Sequence, residues 1–177
     1  MNRFAFYALL ALMAGLDKAP VQAEECIDAQ KNAEEIQKCC DIPSPLEMEK
    51  IQACKEKYEQ ELSQDMPNMI VCILECHATE LGVINGDTLN EAELLKMGEQ
   101  IEDPVIRELA IPIMKECGAS SSEMVKQSQG HNFKCPPLAY MLTECIMQGI
   151  FANCPDSHWA KNSPVCDQIK AGAKPCQ

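Results

Sequence analysis

The chain has 177 residues, 12 of them cysteine, and sets 27 acidic against 15 basic side chains for a formal charge of −12. That sign repels phosphate backbones and anionic lipid headgroups, which argues against nucleic-acid partners and against adsorption to membranes. The length suits one domain with a sizeable core.

The amino terminus has the layout of a secretory signal peptide. Asn2 and Arg3 precede an apolar run from Phe4 to Leu16, and the small-residue triplet Val21-Gln22-Ala23 offers a cleavage point. The expected mature chain is one domain over Glu24–Gln177, with the 23 residues before it removed from the 177. Loss of Arg3, Asp17 and Lys18 would take the charge to −13. No later apolar run approaches the ~20 residues of a spanning helix, so membrane insertion is not expected. None of the cysteines lies in the signal segment, and an even count in a secreted chain predicts six disulfides formed in an oxidising compartment.

Downstream, helix signals follow one another. Helices are predicted at 27–39, 45–64, 67–81, 89–101, 104–117, 121–129, 136–152 and 164–171. Starts are marked by Ser44-Pro45-Leu46-Glu47, Thr88-Leu89-Asn90-Glu91 and Ser120-Ser121-Ser122-Glu123, three capping boxes, and by Asp103-Pro104 and Ser163-Pro164. Gly82, Gly118, Gly130 and Gly172 sit where stops are needed. Leu46, Cys54, Tyr58 and Leu62 share a face of the second helix, whose other side is Glu and Lys. Residues 136–152 are apolar nearly all round, through Leu138, Ala139, Tyr140, Met141, Leu142, Ile146, Met147, Ile150 and Phe151, which fits a helix surrounded by others. Strand signals are absent, so the expected class is all-α. No repeat or low-complexity linker marks a second domain.

Chemistry-bearing patterns are sparse. His77, His131 and His158 are scattered, and none forms a metal or catalytic spacing. The cluster Cys72-x3-Cys76-His77 has some zinc character, but in a secreted chain these thiols are expected to be oxidised. Cys39-Cys40-Asp41 resembles the double cysteine of the phospholipase A2 active-site helix. The histidine that should follow is missing, with Asp41-Ile42-Pro43 in its place. No enzymatic turnover, metal or cofactor is therefore expected.

The cysteine ladder is more informative. Cys72 is followed after three residues by Cys76, then at longer gaps by Cys117, Cys135, Cys145, the pair Cys154-Pro155, Cys166 and Cys176. This resembles the Plus-C subclass of insect odorant-binding proteins, mosquito members above all. Cys26, Cys39, Cys40 and Cys54 fit the subclass's additional cysteines more loosely. The resemblance implies a compact, disulfide-crosslinked multi-helix domain enclosing an apolar cavity. Two pairs are carried over from it, Cys72–Cys145 and Cys117–Cys154. Independently of family, Cys72 and Cys76 lie one turn apart on one helix face and should tie to different segments. For Cys76 an amino-terminal partner is implied, with Cys39, Cys40 and Cys54 all open.

Six crosslinks at ~2–4 kcal/mol each exceed what a well-filled core of this size requires. They make sense if the middle is left partly empty, as a pocket of roughly 300–1,000 Å³ would leave it. Met69, Met97, Met114, Met141 and Met147 are adaptable enough to accept several ligand shapes. The resemblance implies non-covalent carriage of small hydrophobic volatile ligands through sensory lymph to olfactory receptors. The cavity lining expected from it is Met69, Ile73, Leu94, Met97, Ile106, Leu109, Ile113, Phe133, Leu138, Met141, Leu142, Ile146 and Phe151, with Tyr140 a candidate hydroxyl for a polar group. Protonation of His131 and His158, which flank the apolar helix, is a candidate release signal through loosening of the tail. Long crosslinked termini also admit a homodimer by exchange of a terminal segment. Two alternatives are a secreted cysteine-rich protein-binding module, acting as inhibitor or immune-modulating factor, and a carrier of non-olfactory lipophiles. A small lipid hydrolase would need a His–acid pair in a cleft, for which no spacing stands out.

Overall fold

The computed structural model describes residues 26–28, 31–42 and 48–173. The expected signal segment 1–23, the expected capping box at Ser44 and Cys176 lie outside the described residues. Eight helices are present among those described, consistent with an odorant-binding protein fold. They are α1 (Ala33–Gln37), α2 (Met48–Leu62), α3 (Met66–Glu80), α4 (Glu91–Glu99), α5 (Pro104–Ala119), α6 (Ser121–Ser128), α7 (Leu138–Ala152) and α8 (Pro164–Lys170).

The chain divides into two compact units, one of residues 1–39 and 160–177, the other of residues 40–159. In the first, α1 packs on α8. Disulfide Cys39–Cys166 joins them, and Ser163 Oγ donates to Glu35 Oε1 at 2.6 Å. The same Ser163 Oγ caps α8 by accepting from Cys166 N at 3.1 Å. In the second unit, Cys40 pairs with Trp159 in an isolated antiparallel bridge, and Asp41 N donates to His158 O. Disulfide Cys40–Cys154 fastens the same place.

The second unit is organised around α7, which packs against α3, α5 and α6, while α2 pairs with α3 and α4 with α5. Its apolar faces meet in a cluster that includes Leu94, Ala110, Met114, Leu138, Leu142, Ile146 and Ile150. A smaller cluster of Leu62, Met69 and Cys72, backed by Tyr58, Ile73 and Cys135, fills the α2–α3 end.

Several local expectations need correction. A short antiparallel hairpin, β1 (Ile84–Asn85) and β2 (Thr88–Leu89), stands where no strand was expected. Two residues per strand are too few for alternation to register, although Asn85-Gly86 is a strong turn dipeptide and Gly86 has φ 58°. With Thr88 drawn into β2, the cap of α4 falls to Asn90, whose side chain accepts from Glu93 N. Ser120 does not cap α6 by its side chain, because its Oγ turns back to Glu116 O at 3.2 Å. Gly118 is no stop but a buried position inside α5, with Leu89 Cδ2 3.3 Å from where a Cβ would stand.

The two carried-over disulfides are also corrected. Cys72 bonds Cys135, Cys117 bonds Cys145, and Cys154 bonds Cys40. Cys76 bonds Cys54, and Cys26 is disulfide-bonded as well. Taken in order, Cys54, Cys72, Cys76, Cys117, Cys135 and Cys145 interlock first with third, second with fifth and fourth with sixth. The expectation slipped by one cysteine, giving Cys72 the partner of Cys117 and Cys117 the partner of Cys40. Geometry decides otherwise: α7 lies along α5, bringing the Cα atoms of Cys117 and Cys145 to 6.0 Å. Cys154, beyond the Asn153 C-cap of α7, is held instead at 6.0 Å from Cys40.

Candidate binding pocket

Space remains between the helices of the second unit, as a pocket of about 370 Å³. Helix α3 supplies Leu74, His77, Ala78 and, just past its end, Leu81. Val83 and Ile84 come from the entry to the hairpin, Leu94 and Met97 from α4, and Met114 from α5. Helix α7 closes the opposite side with Ala139, Leu142, Thr143, Ile146 and Met147, and Ile42 joins from the amino-terminal side. Of these fifteen residues thirteen are apolar, and none is Asp, Glu, Lys or Arg.

The polar remainder is small. Thr143 Oγ1 donates to Ala139 O at 2.8 Å, so towards an occupant it has only lone pairs to offer. His77 is 3% exposed and its Nε2 is buried. Such a wall orders a guest weakly by hydrogen bonds and accepts it mainly by excluding water. At liquid density, with ~30 Å³ per water-sized group, the space suits about a dozen non-hydrogen atoms.

Of the expected lining, Leu94, Met97, Leu142 and Ile146 come together on this wall, joined by Met114 and Met147 from the methionines that the sequence marked as adaptable. Met69 and Ile73 lie in the α2–α3 cluster, away from it. Leu138 is fully buried in the main cluster, Leu109 and Ile113 pack against that cluster, and Ile106 is fully buried near the start of α5. Met141 and Tyr140 are half-buried. Phe151 meets Trp159 edge-on at 5.5 Å, and Phe133 is exposed beside His131. The residues that went unnoticed, Leu74, Ala78 and Leu81, carry a readable signal. They recur at helical spacing and make one stripe along α3.

His158 and Asp103 form a second arrangement of polar groups. His158 Nε2 lies 2.9 Å from Asp103 Oδ2, and Ser157 Oγ is 2.9 Å from His158 Nδ1. This order of Ser, His and Asp resembles a hydrolytic triad, yet none of the three residues lines the pocket. Asp103 Oδ1 already accepts from Val105 N and Ile106 N, at 2.8 and 3.1 Å, as the cap of α5. The group is better understood as a clamp between the 155–159 turn and α5. The backbone hydrogen bond from Ile106, with the His158 side-chain contact next, lowers the Asp103 carboxyl below its ordinary range.

No family model matches the chain. A curated mosquito protein, General odorant-binding protein 68 of Anopheles gambiae, is 24% identical to it over 151 residues, 78% of this chain and 68% of the relative. The chain is a distant relative of an insect odorant-binding protein. That relationship agrees with the mostly helical, disulfide-crosslinked architecture, and the relative is by its name a binding protein. No described helix is long and apolar enough to cross a membrane.

Proposed function

We propose that the protein is a secreted Plus-C odorant-binding protein that carries small hydrophobic ligands non-covalently, through aqueous lymph towards sensory receptors. The observation that carries this reading is the 370 Å³ pocket, whose wall has thirteen apolar residues and no Asp, Glu, Lys or Arg. A guest of about a dozen heavy atoms would shed its hydration there at a gain of roughly 25 cal/mol per Å² of apolar surface buried. The name of the mosquito relative supports odorants as the ligand class.

The test is displacement of the fluorescent probe N-phenyl-1-naphthylamine from oxidised Glu24–Gln177 by neutral volatile alcohols, aldehydes and aromatic esters. Probe uptake with displacement at micromolar concentration is expected. Failure of the folded protein to take up probe would overturn the carrier reading. A protein-binding role, working through exposed apolar side chains such as Met66 and Ile70, would then come first.

A further inference from the structure

A glycine within a helix loses more conformational freedom on folding than an alanine, so its presence there asks for a structural reason. Gly98 lies in the last turn of α4 and is buried. It needs no left-handed backbone, since the glycines with positive φ are Gly82, Gly86, Gly130 and Gly172. The reason is steric. A Cβ on residue 98 would stand 2.8 Å from Met114 Sδ and 3.2 Å from Ile111 Cγ1. Met114, on α5, is 3% exposed and belongs to the pocket wall.

We propose that Gly98 sets the size limit of the pocket, by letting the Met114 thioether recess against α4 and leave its place to the ligand. This rests on the carrier reading and specifies how that same site selects its guests. The argument turns on which neighbour gives way when residue 98 gains a side chain. Ile111 is β-branched and stiff about χ1, whereas Met114 has three rotatable bonds beyond its Cα. The empty space beside Met114 is the pocket itself. A methyl group at 98 therefore drives Met114 into the volume a long guest occupies and spares the volume a short guest needs.

Gly149 provides an internal contrast. A Cβ there would stand 2.6 Å from Ile113 Cγ2, and neither residue lines the pocket. That glycine permits close approach of α5 and α7 and carries no guest selection.

The experiment measures displacement of N-phenyl-1-naphthylamine by the straight-chain alcohols from hexanol to tetradecanol, in wild type, Gly98→Ala, Met114→Ala and the double variant. In Gly98→Ala the longest alcohols that bind the wild type are expected to lose about tenfold in affinity, the scale of one misplaced methylene, with the shortest unchanged. Met114→Ala should extend the accepted length, and the double variant should recover what Gly98→Ala lost. An equal loss across the series, or none, overturns the inference while leaving the carrier reading intact. If Gly98→Ala does not fold, Met114→Ala decides, because an unchanged length profile overturns the proposal. Absence of probe uptake by the wild type would sink the carrier reading and this inference with it.

Discussion

The α2–α3 end and the pocket differ in filling although similar residues build both. At the α2–α3 end Leu62, Met69 and Cys72 pack with Tyr58, Ile73 and Cys135, and disulfides Cys54–Cys76 and Cys72–Cys135 tie one face of α3 to two different segments. On another side of the same helix Leu74 and Ala78, with Leu81 just past its end, pack against the main cluster and border the pocket. There α3, the hairpin entry, α4, α5 and α7 together wall the pocket, and the crosslink Cys117–Cys145 fixes α5 to α7. The difference teaches that crosslinks and neighbouring elements, rather than side-chain type, decide whether an apolar face is core or container.

If so, removing a crosslink should affect the two regions differently. Replacing Cys117 and Cys145 together by Ala is expected to cost ~2–5 kcal/mol of stability and also to weaken probe binding. Replacing Cys72 and Cys135 should cost a similar amount and leave probe affinity close to that of the wild type, provided measurements are made well below Tm. Calorimetry and probe titration on both variants check this, and equal binding losses would erase the distinction between the regions.

Single side chains sharpen it. Leu62 is 1% exposed in the filled cluster, and Leu62→Ala should cost ~2–5 kcal/mol by leaving a cavity that the surroundings cannot close. Leu142 is 3% exposed but already borders the pocket. Leu142→Ala should fall at the lower end of that range while altering which ligands displace the probe. Urea unfolding and the displacement panel together separate the two, and a larger stability loss at Leu142 would contradict the assignment.

The sequence predicted the helical class well because α3, α4, α5 and α8 open on a capping side chain, three of them with a proline in the first turn, and long stretches keep a 3.6-residue period. Asp103-Pro104 and Ser163-Pro164 both begin helices, and Gly82, Gly130 and Gly172 all adopt positive φ. Gly118 was misread because a stop glycine and a close-contact glycine look alike until the neighbouring helix is placed. The pocket was less legible for a similar reason. Periodicity indicates that α3 has apolar side chains on two sides, Met69 and Ile73 on one and Leu74 and Ala78 on the other, but not which side meets a filled cluster and which borders the pocket. Met69 and Ile73 therefore passed for lining, and Leu74, Ala78 and Leu81 were overlooked.

Gly149→Ala carries the comparison into the contact between α5 and α7. The added methyl would lie 2.6 Å from Ile113 Cγ2, on a β-branched side chain with one favoured rotamer in a helix. The two helices must separate slightly, at ~1–3 kcal/mol for an overpacked contact, and probe selectivity should not change with chain length. A length-dependent change in this variant would mean that any strain on α5 reaches the pocket.

The smallest expected effect concerns acid. Asp65 caps α3 and Asp103 caps α5, and each carboxyl is lowered from its ordinary value. For Asp65 the leading cause is the hydrogen bond from the Asn68 side chain, and for Asp103 it is the backbone hydrogen bond from Ile106. A carboxyl lowered in the folded state binds its proton more readily in the unfolded chain. Its contribution is therefore complete above the ordinary carboxylate pKa near 4 and is lost as pH falls through the lower folded value. Hydrogen exchange in the first turns of α3 and α5 should be unchanged between pH 7 and about 5, once corrected for intrinsic rates, and should quicken only below about pH 4. Asp65 belongs to the filled end, whereas Asp103 starts the helix that brings Met114 to the pocket. Acid should accordingly loosen both helix starts but reach the bound probe chiefly through α5, and Asp103→Asn should remove that dependence while Asp65→Asn leaves it in place.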